Sequence, residues 1–364
     1  MKRILSLAAM FAVLSYVSPA SAEVKLSGDA AIRLRGEFKE TKPVSGFKDQ
    51  EDDLKFQYRV RLKPSADLGS GYYFKGLIQS EESAGGTAVP GGWADVGTNN
   101  VGAYNLEVSN FYFGRNLEGS HYALGRLPLG SFNNPIFDLL LYPTRPVDTP
   151  VNTNNFDRLF GFQYGAKLGD GELNAVLGVL DNTIGDNKVA ANGDGLFNDG
   201  YGLYLDYKFA AGDLTLEPQA FVTLTNFATT WGRVTPNTFG GIIGIPAGKS
   251  KIALSGFYTL TKDTVPNTTT NVDYSGYLFR AKTESGPVTA WIDYNQTKDK
   301  STASAIDYDN LFIWASYNVK LHESSTGTFS LTPTLRYRAS GKNTNTGNST
   351  DKQLRTELYA TVTF

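Results

Sequence analysis

No cysteine occurs anywhere in the chain, which excludes disulfides, thiolate nucleophiles and thiolate-bound metals. Histidine occurs only at positions 121 and 322, and neither His121 nor His322 sits in a metal-ligand spacing. A serine–histidine hydrolase would have to rest on one of them, and no third group stands nearby to orient the ring, so an enzyme is not expected. Excess positive charge is missing too: 34 Lys and Arg stand against 36 Asp and Glu, which argues against a nucleic-acid partner. After residue 22, no apolar stretch approaches the roughly 18 residues that a membrane-spanning helix needs.

What is present begins with residues 1–22, MKRILSLAAMFAVLSYVSPASA. Lys2 and Arg3 give a basic start, Ile4 to Val17 an apolar run, and Ala20-Ser21-Ala22 a small-residue cleavage site. This is the pattern of a secretory signal peptide cut after Ala22, which leaves one domain, 23–364. Its removal takes two basic residues and no acidic one, so the formal charge moves from −2 to −4. An exported chain of this size without disulfides has to hold together by backbone pairing and packing. The counts of Gly (38), Tyr (20) and Phe (22) are high and point to turn-rich, aromatic β-structure.

The mature start, VKLSGDAAIRLRGEFK (24–39), alternates. Even positions from Val24 to Phe38 are apolar or small, and odd positions are polar or charged except Ala31. A strand sends successive side chains to opposite faces, so this one has an oily face and a charged face. The pattern recurs in Leu54–Lys63 and Tyr72–Ile78, and again from near Asn105, His121, Asp157, Glu172, Gly200, Leu214, Phe239, Lys251, Asp273, Val288, Asp309, Thr328 and Gln353. That makes sixteen strands. Asn105–Arg115 and Asp273–Lys282 alternate least cleanly, which points to bulges.

Connections alternate in length. Gly169–Gly171, Ala210–Gly212, Pro246–Ser250 and Glu284–Gly286 are short. Glu40–Asp53, Ser83–Ala103, Pro128–Phe156, Asp181–Asp199, Ala228–Thr238, Lys262–Val272, Lys298–Ile306 and Ser340–Lys352 are long and polar. An even number of strands of about ten residues, with short turns at one end and long loops at the other, describes an antiparallel up-and-down barrel in a membrane. Hydrocarbon leaves no backbone group unpaired, so the sheet must close by pairing its first and last strands. The oily face then meets lipid, and the charged face lines a water-filled lumen. Outward Tyr72, Tyr201, Tyr207, Phe209, Tyr258 and Tyr294 suit the two interface girdles.

The chain ends on LYATVTF, with Leu354, Leu358, Ala360, Val362 and Phe364 on one face. A terminal strand of this kind with a final aromatic is similar to the assembly signal of outer-membrane barrels. Together with the sixteen strands and YALGRLPLG (Tyr122–Gly130), it makes the whole mature chain resemble the bacterial general porins. The resemblance implies an all-β transmembrane barrel in the outer membrane of a Gram-negative bacterium. It also implies a homotrimer that passes small hydrophilic solutes and ions, with the third long loop folded into the lumen.

Here that loop is Pro128–Phe156. Its Ile136, Phe137, Leu139, Leu140 and Leu141 are unusually apolar, and Pro143, Pro146 and Pro150 stiffen it. Arg33, Arg35, Arg59, Arg61, Arg336, Arg338 and Arg355 fall on the inward face of the first two and last two strands, which closure makes neighbours. These seven form the expected cationic wall, unless Glu37, Glu357 or Asp29 pair with some of them. Arg126 joins the pore-lining candidates, and the loop adds Asp138, Arg145 and Asp148 opposite the wall. The balance favours passive diffusion past a charged constriction with a weak anion preference. The alternative is a substrate-selective anion channel, for phosphate or a similar solute, on an arginine ladder. Gly28 and Ala30 on the outer face would allow close packing between subunits.

Two motifs are set aside. GIPAGKS (244–250) has three residues between its glycines where a phosphate loop has four, and a strand pattern follows, so it reads as a turn. NGDGLFND (192–199) lacks the spacing and closing glutamate of a calcium loop. Asp194 and Asp199 are weak calcium candidates at most, and no other cofactor is expected.

Overall fold

The computed structural model describes residues 23–81, 93–96, 105–129, 158–181, 199–225, 227–229, 232–234, 236–264, 271–301 and 304–364. The expected signal peptide, most of the third long loop and Asp194 lie outside them.

Strand segments follow one another along the chain. The first ten are β1 (Glu23–Lys42), β2 (Asp49–Gly69), β3 (Tyr72–Glu81), β4 (Ala94–Asp95), β5 (Asn105–Leu117), β6 (Ser120–Pro128), β7 (Arg158–Leu168), β8 (Gly171–Asp181), β9 (Gly200–Ala211) and β10 (Leu214–Thr223). Then come β11 (Phe227–Thr229), β12 (Gly232–Val234), β13 (Asn237–Ala247), β14 (Ser250–Thr264), β15 (Asn271–Ser285), β16 (Val288–Asp299), β17 (Ile306–Tyr317), β18 (Val319–Ser324), β19 (Gly327–Thr344) and β20 (Gly347–Thr363). Sequential neighbours pair antiparallel, and β1 pairs with β20, so the sheet closes into a sixteen-strand barrel. β17 and β18 share the neighbour β19 and act as one stave broken at Asn318. β4 is a short extra rung on β2, and β11–β12 is a separate hairpin.

Alternation dictates the two faces. Leu34 stands opposite Phe56 on one side and Leu358 on the other, and all three are exposed. Their odd-numbered neighbours on β1, from Asp29 to Glu37, are buried. Exposed Ile32, Phe38, Phe162, Tyr258, Phe279 and Tyr294 continue the oily outer surface. At the seam the backbones of Gly28 and Phe364 exchange hydrogen bonds of 2.8 and 3.1 Å. A Cβ on Gly28 would lie 2.8 Å from the Phe364 ring, so the space that this glycine leaves is filled by its own chain rather than kept for a partner subunit.

Several local expectations change. Ser340–Lys352 is not a loop: β19 and β20 run on as a ladder to a two-residue turn, with Thr344 opposite Gly347. Glu40–Asp53 shrinks likewise, since β1 and β2 pair as far as Thr41 and Asp49. Polar strands longer than a hydrocarbon layer project from it, and alternation in charged residues carries no lipid signal to mark them as strand. The bulge expected in Asn105–Arg115 is there, since Leu77 and Ile78 face Asn110 and Val108, so Ser109 is the extra residue of the register shift. Asp273–Lys282 runs in regular register on both sides. GIPAGKS is a hairpin turn with Gly248 at φ 63°, a conformation that suits glycine.

The inner face is not uniformly polar. Leu127, Leu159, Val176, Tyr204, Phe221, Phe257 and Leu278 pack into a buried apolar cluster on the inward positions of β6 to β15. Charge concentrates on the opposite side, around the β1–β20 seam.

Candidate functional site at the barrel seam

Cross-strand register builds the site. β1 places Arg35 opposite Glu357 and Glu37 opposite Arg355, and its other edge places Asp29 opposite Arg61. Opposite charges on facing inward positions stabilise a ladder, so the pairing follows from the sequence once the seam is closed.

Three carboxylates organise the wall. The Glu357 side chain has no solvent exposure and holds three cations: Arg35 Nε at 2.5 Å, Arg336 Nε at 2.7 Å and Arg33 Nη1 at 3.6 Å. The Tyr359 hydroxyl donates at 2.7 Å to Oε2, the oxygen that Arg336 also reaches. Asp29 receives Arg61 at 2.8 Å and Arg59 at 3.2 Å, with Lys63 at 3.8 Å. Glu37 receives Lys39 at 3.2 Å and Arg355 at 3.3 Å, and Gln353 donates to it as well. On the long-loop side, Arg338 meets Asp351 at 3.1 Å. Arg336 and Arg355 face each other in register, a like-charge pair tolerated because each has its own carboxylate.

Depth separates the two signs. The Asp29, Glu37 and Glu357 side chains are 3%, 3% and 0% exposed, whereas Arg61 and Arg355 reach 28%. Anions lie beneath and guanidinium groups lie towards the lumen, so water meets a cationic surface on a wall where the cations also outnumber the carboxylates.

Aromatic rings extend this wall. Trp93 stacks on Arg33, with 4.2 Å from the guanidinium carbon to the ring centre, and lies 4.7 Å from the Arg59 guanidinium carbon. Arg336 stacks on Trp314 at 3.8 Å, and Trp314 stacks on Trp291 at 4.7 Å. Next to Trp291, Arg280 forms a two-pronged pair with Asp293 at 2.6 and 2.7 Å. Each such stack contributes about 0.5–2 kcal/mol.

All seven arginines expected on the wall are there, and the suspected partners Asp29, Glu37 and Glu357 hold six of them. Arg126 is a correction. It faces Phe111 and Phe160, both exposed, and alternates with buried Ala123 and Leu127, so it stands on the outer surface. Its Nη1 donates to the Val108 carbonyl at 3.5 Å. Position 126 shares the parity of Tyr122 and Leu124, which already marks it as outward. Asp138, Arg145 and Asp148 lie outside the described residues. Of the calcium candidates, Asp199 accepts from the Tyr201 hydroxyl at 3.4 Å, and among the described residues no group of three His, Asp or Glu side chains is placed to hold a metal.

Arg280, Asp293, Trp93, Trp291, Trp314 and Tyr359 were not anticipated. For five of them a signal existed: Trp291 and Asp293 share parity with Asn295, as Trp314 does with Asn310 and Tyr359 with Glu357, and Arg280 sits between outward Phe279 and Ala281. Trp93 carried none, because it lies in a connection.

A family model described as Gram-negative porin matches residues 6–346. Among solved structures the chain is similar to an anion-selective porin from Comamonas acidovorans, at 14% identity and TM-score 0.55 over 94% of this chain and 100% of that one. It is also similar to Salmonella typhi OmpF in complex with daunomycin, at 12% identity and TM-score 0.53 over 94% and 99%. A third is the trimer form of OmpT, an outer membrane protein of Vibrio cholerae, at 11% identity and TM-score 0.53 over 93% and 99%. At these identities the likeness shows the fold. No curated protein matches the chain.

Proposed function

From the premise that the chain belongs to the Gram-negative porin family, as an outer-membrane channel, we propose that it is a passive diffusion pore for small hydrophilic solutes with a weak preference for anions. One observation carries the preference: the seam wall turns its guanidinium groups to the lumen and keeps Asp29, Glu37 and Glu357 beneath them. A mobile ion near the wall meets cations first, and buried carboxylates act on it from farther away. There is no chemical step, and the solute crosses in water down its gradient.

Reversal potential in a planar bilayer under a salt gradient tests this. Wild type should reverse on the anion side, and charge reversal at Arg59 and Arg61 should move the potential towards cations. No shift in the double variant would remove the wall from the mechanism. A substrate-selective anion channel on the same arginines is the second reading, supported by their continuous run over β19, β20, β1 and β2. Conductance that saturates with one anion would favour it.

We also propose a homotrimer, a reading supported by the trimeric form of the Vibrio cholerae relative. Cleavage after Ala22, lipid around the oily belt and the absence of a nucleic-acid partner belong to the same reading.

A further inference from the structure

We infer that Trp93 limits the pore's anion preference by holding Arg33 and Arg59 under an indole lid, and this inference rests on the anion-preference reading above. The residue reaches the wall through β4, a two-residue strand on the edge of β2. There Ala94 pairs with Tyr58 and Asp95 with Gln57, and the Val96 N–H donates to the Phe56 carbonyl at 3.3 Å. One step farther along, Trp93 shares the inward row with Arg59. Its ring touches the face of Arg33 at 4.2 Å, that of Arg59 at 4.7 Å, and the Tyr359 ring edge-on at 5.4 Å.

The consequence shows in exposure. Trp93 is 5% exposed, and the side chains of Arg33 and Arg59 are 2% and 15% exposed, on a wall whose other arginines run from 8% at Arg35 and 12% at Arg336 and Arg338 to 28% at Arg61 and Arg355. A guanidinium is flat and weakly hydrated, so an aromatic face replaces water above its plane while its in-plane N–H groups keep their acceptors. Arg33 keeps Gln57 at 2.9 Å and Arg59 keeps Asp29 at 3.2 Å. The lid leaves both charges in place but sets the thickness of a ring between them and a passing anion. Removing it uncovers one face of both guanidinium groups and adds two accessible cations to the wall. Trp93 is a specificity-determining residue on this account, without any contact to the solute.

The test compares wild type, Trp93→Ala and Trp93→Phe in planar bilayers under one salt gradient. Trp93→Ala should raise single-channel conductance and shift the reversal potential further to the anion side, while Trp93→Phe, which keeps a ring, should stay near wild type. Equal reversal potentials for wild type and Trp93→Ala would overturn the inference and leave the pore's anion preference standing. A wild type without anion preference would instead defeat the functional reading, whatever the variants do. Should Trp93→Ala fail to fold, phenylglyoxal labelling of the folded wild type decides. Arg61 and Arg355 should be modified and Arg33 and Arg59 spared; modification of Arg33 at the rate of Arg61 would overturn the lid.

Discussion

Replacing Glu357 with Gln should loosen the barrel at its seam and make the pore more anion-selective at once. The carboxylate is fully buried between Arg35, Arg336 and Arg33, and it takes a further hydrogen bond from Tyr359. Gln keeps the shape and one acceptor oxygen but leaves three guanidinium groups facing each other without an anion. Breaking a buried ion pair from one side costs about 3–5 kcal/mol. Three cations argue for the upper end and the retained acceptor for the lower, so about 4 kcal/mol is expected. At a urea slope of about 3 kcal/mol per molar, the midpoint should fall by about 1.3 M. Folded fraction can be followed by the mobility of unheated samples on gels across a urea series. Reversal potential on the same preparation should move towards the anion side, since the wall loses a negative charge. An unchanged midpoint together with an unchanged potential would refute the claim that Glu357 organises the wall.

Other consequences are simpler to state. Asp293→Asn should destabilise by about 3 kcal/mol, because it strands the buried Arg280, whereas replacing both with apolar residues of similar size should come close to wild type in the same urea series. Gly28→Leu should lower the yield of folded barrel in refolding assays, since its Cβ would sit 2.4 Å from the Arg61 carbonyl and 2.8 Å from the Phe364 ring. Intact mass of the protein purified from outer membranes should begin at Glu23; retention of residues 1–22 would contradict the export signal.

The barrel was legible because its determinant is local. Two solvents, lipid and lumen water, act on alternate residues, so Leu34, Phe56 and Leu358 announce their face without knowledge of their neighbours. Strand starts agree with the structure to within a few residues except at β2 and β20, where polar hairpins beyond the oily belt give no contrast to read. The arginine wall was legible for the same reason, because parity and closure suffice to gather seven side chains. What parity does not give is depth. That Glu357 lies beneath its arginines depends on side-chain length, the carboxylate being shorter than the guanidinium arm. Trp93 depends on the path of a connection, which no periodic pattern encodes. The apolar patch of Leu127, Leu159 and Leu278 broke the expected polar lining because an inner wall need not be wet along its whole circumference.

The absence of native cysteine makes the central arrangement directly measurable. Single cysteines at Arg61 and Arg355, on the lumen face, and at Ile32 and Leu358, on the outer face, can be challenged in a planar bilayer with a charged, membrane-impermeant thiol reagent. Stepwise loss of current at Arg61 and Arg355, with none at Ile32 and Leu358, is the expected result. Loss of current at the two outer positions and none at the inner pair would turn the barrel inside out and contradict the account.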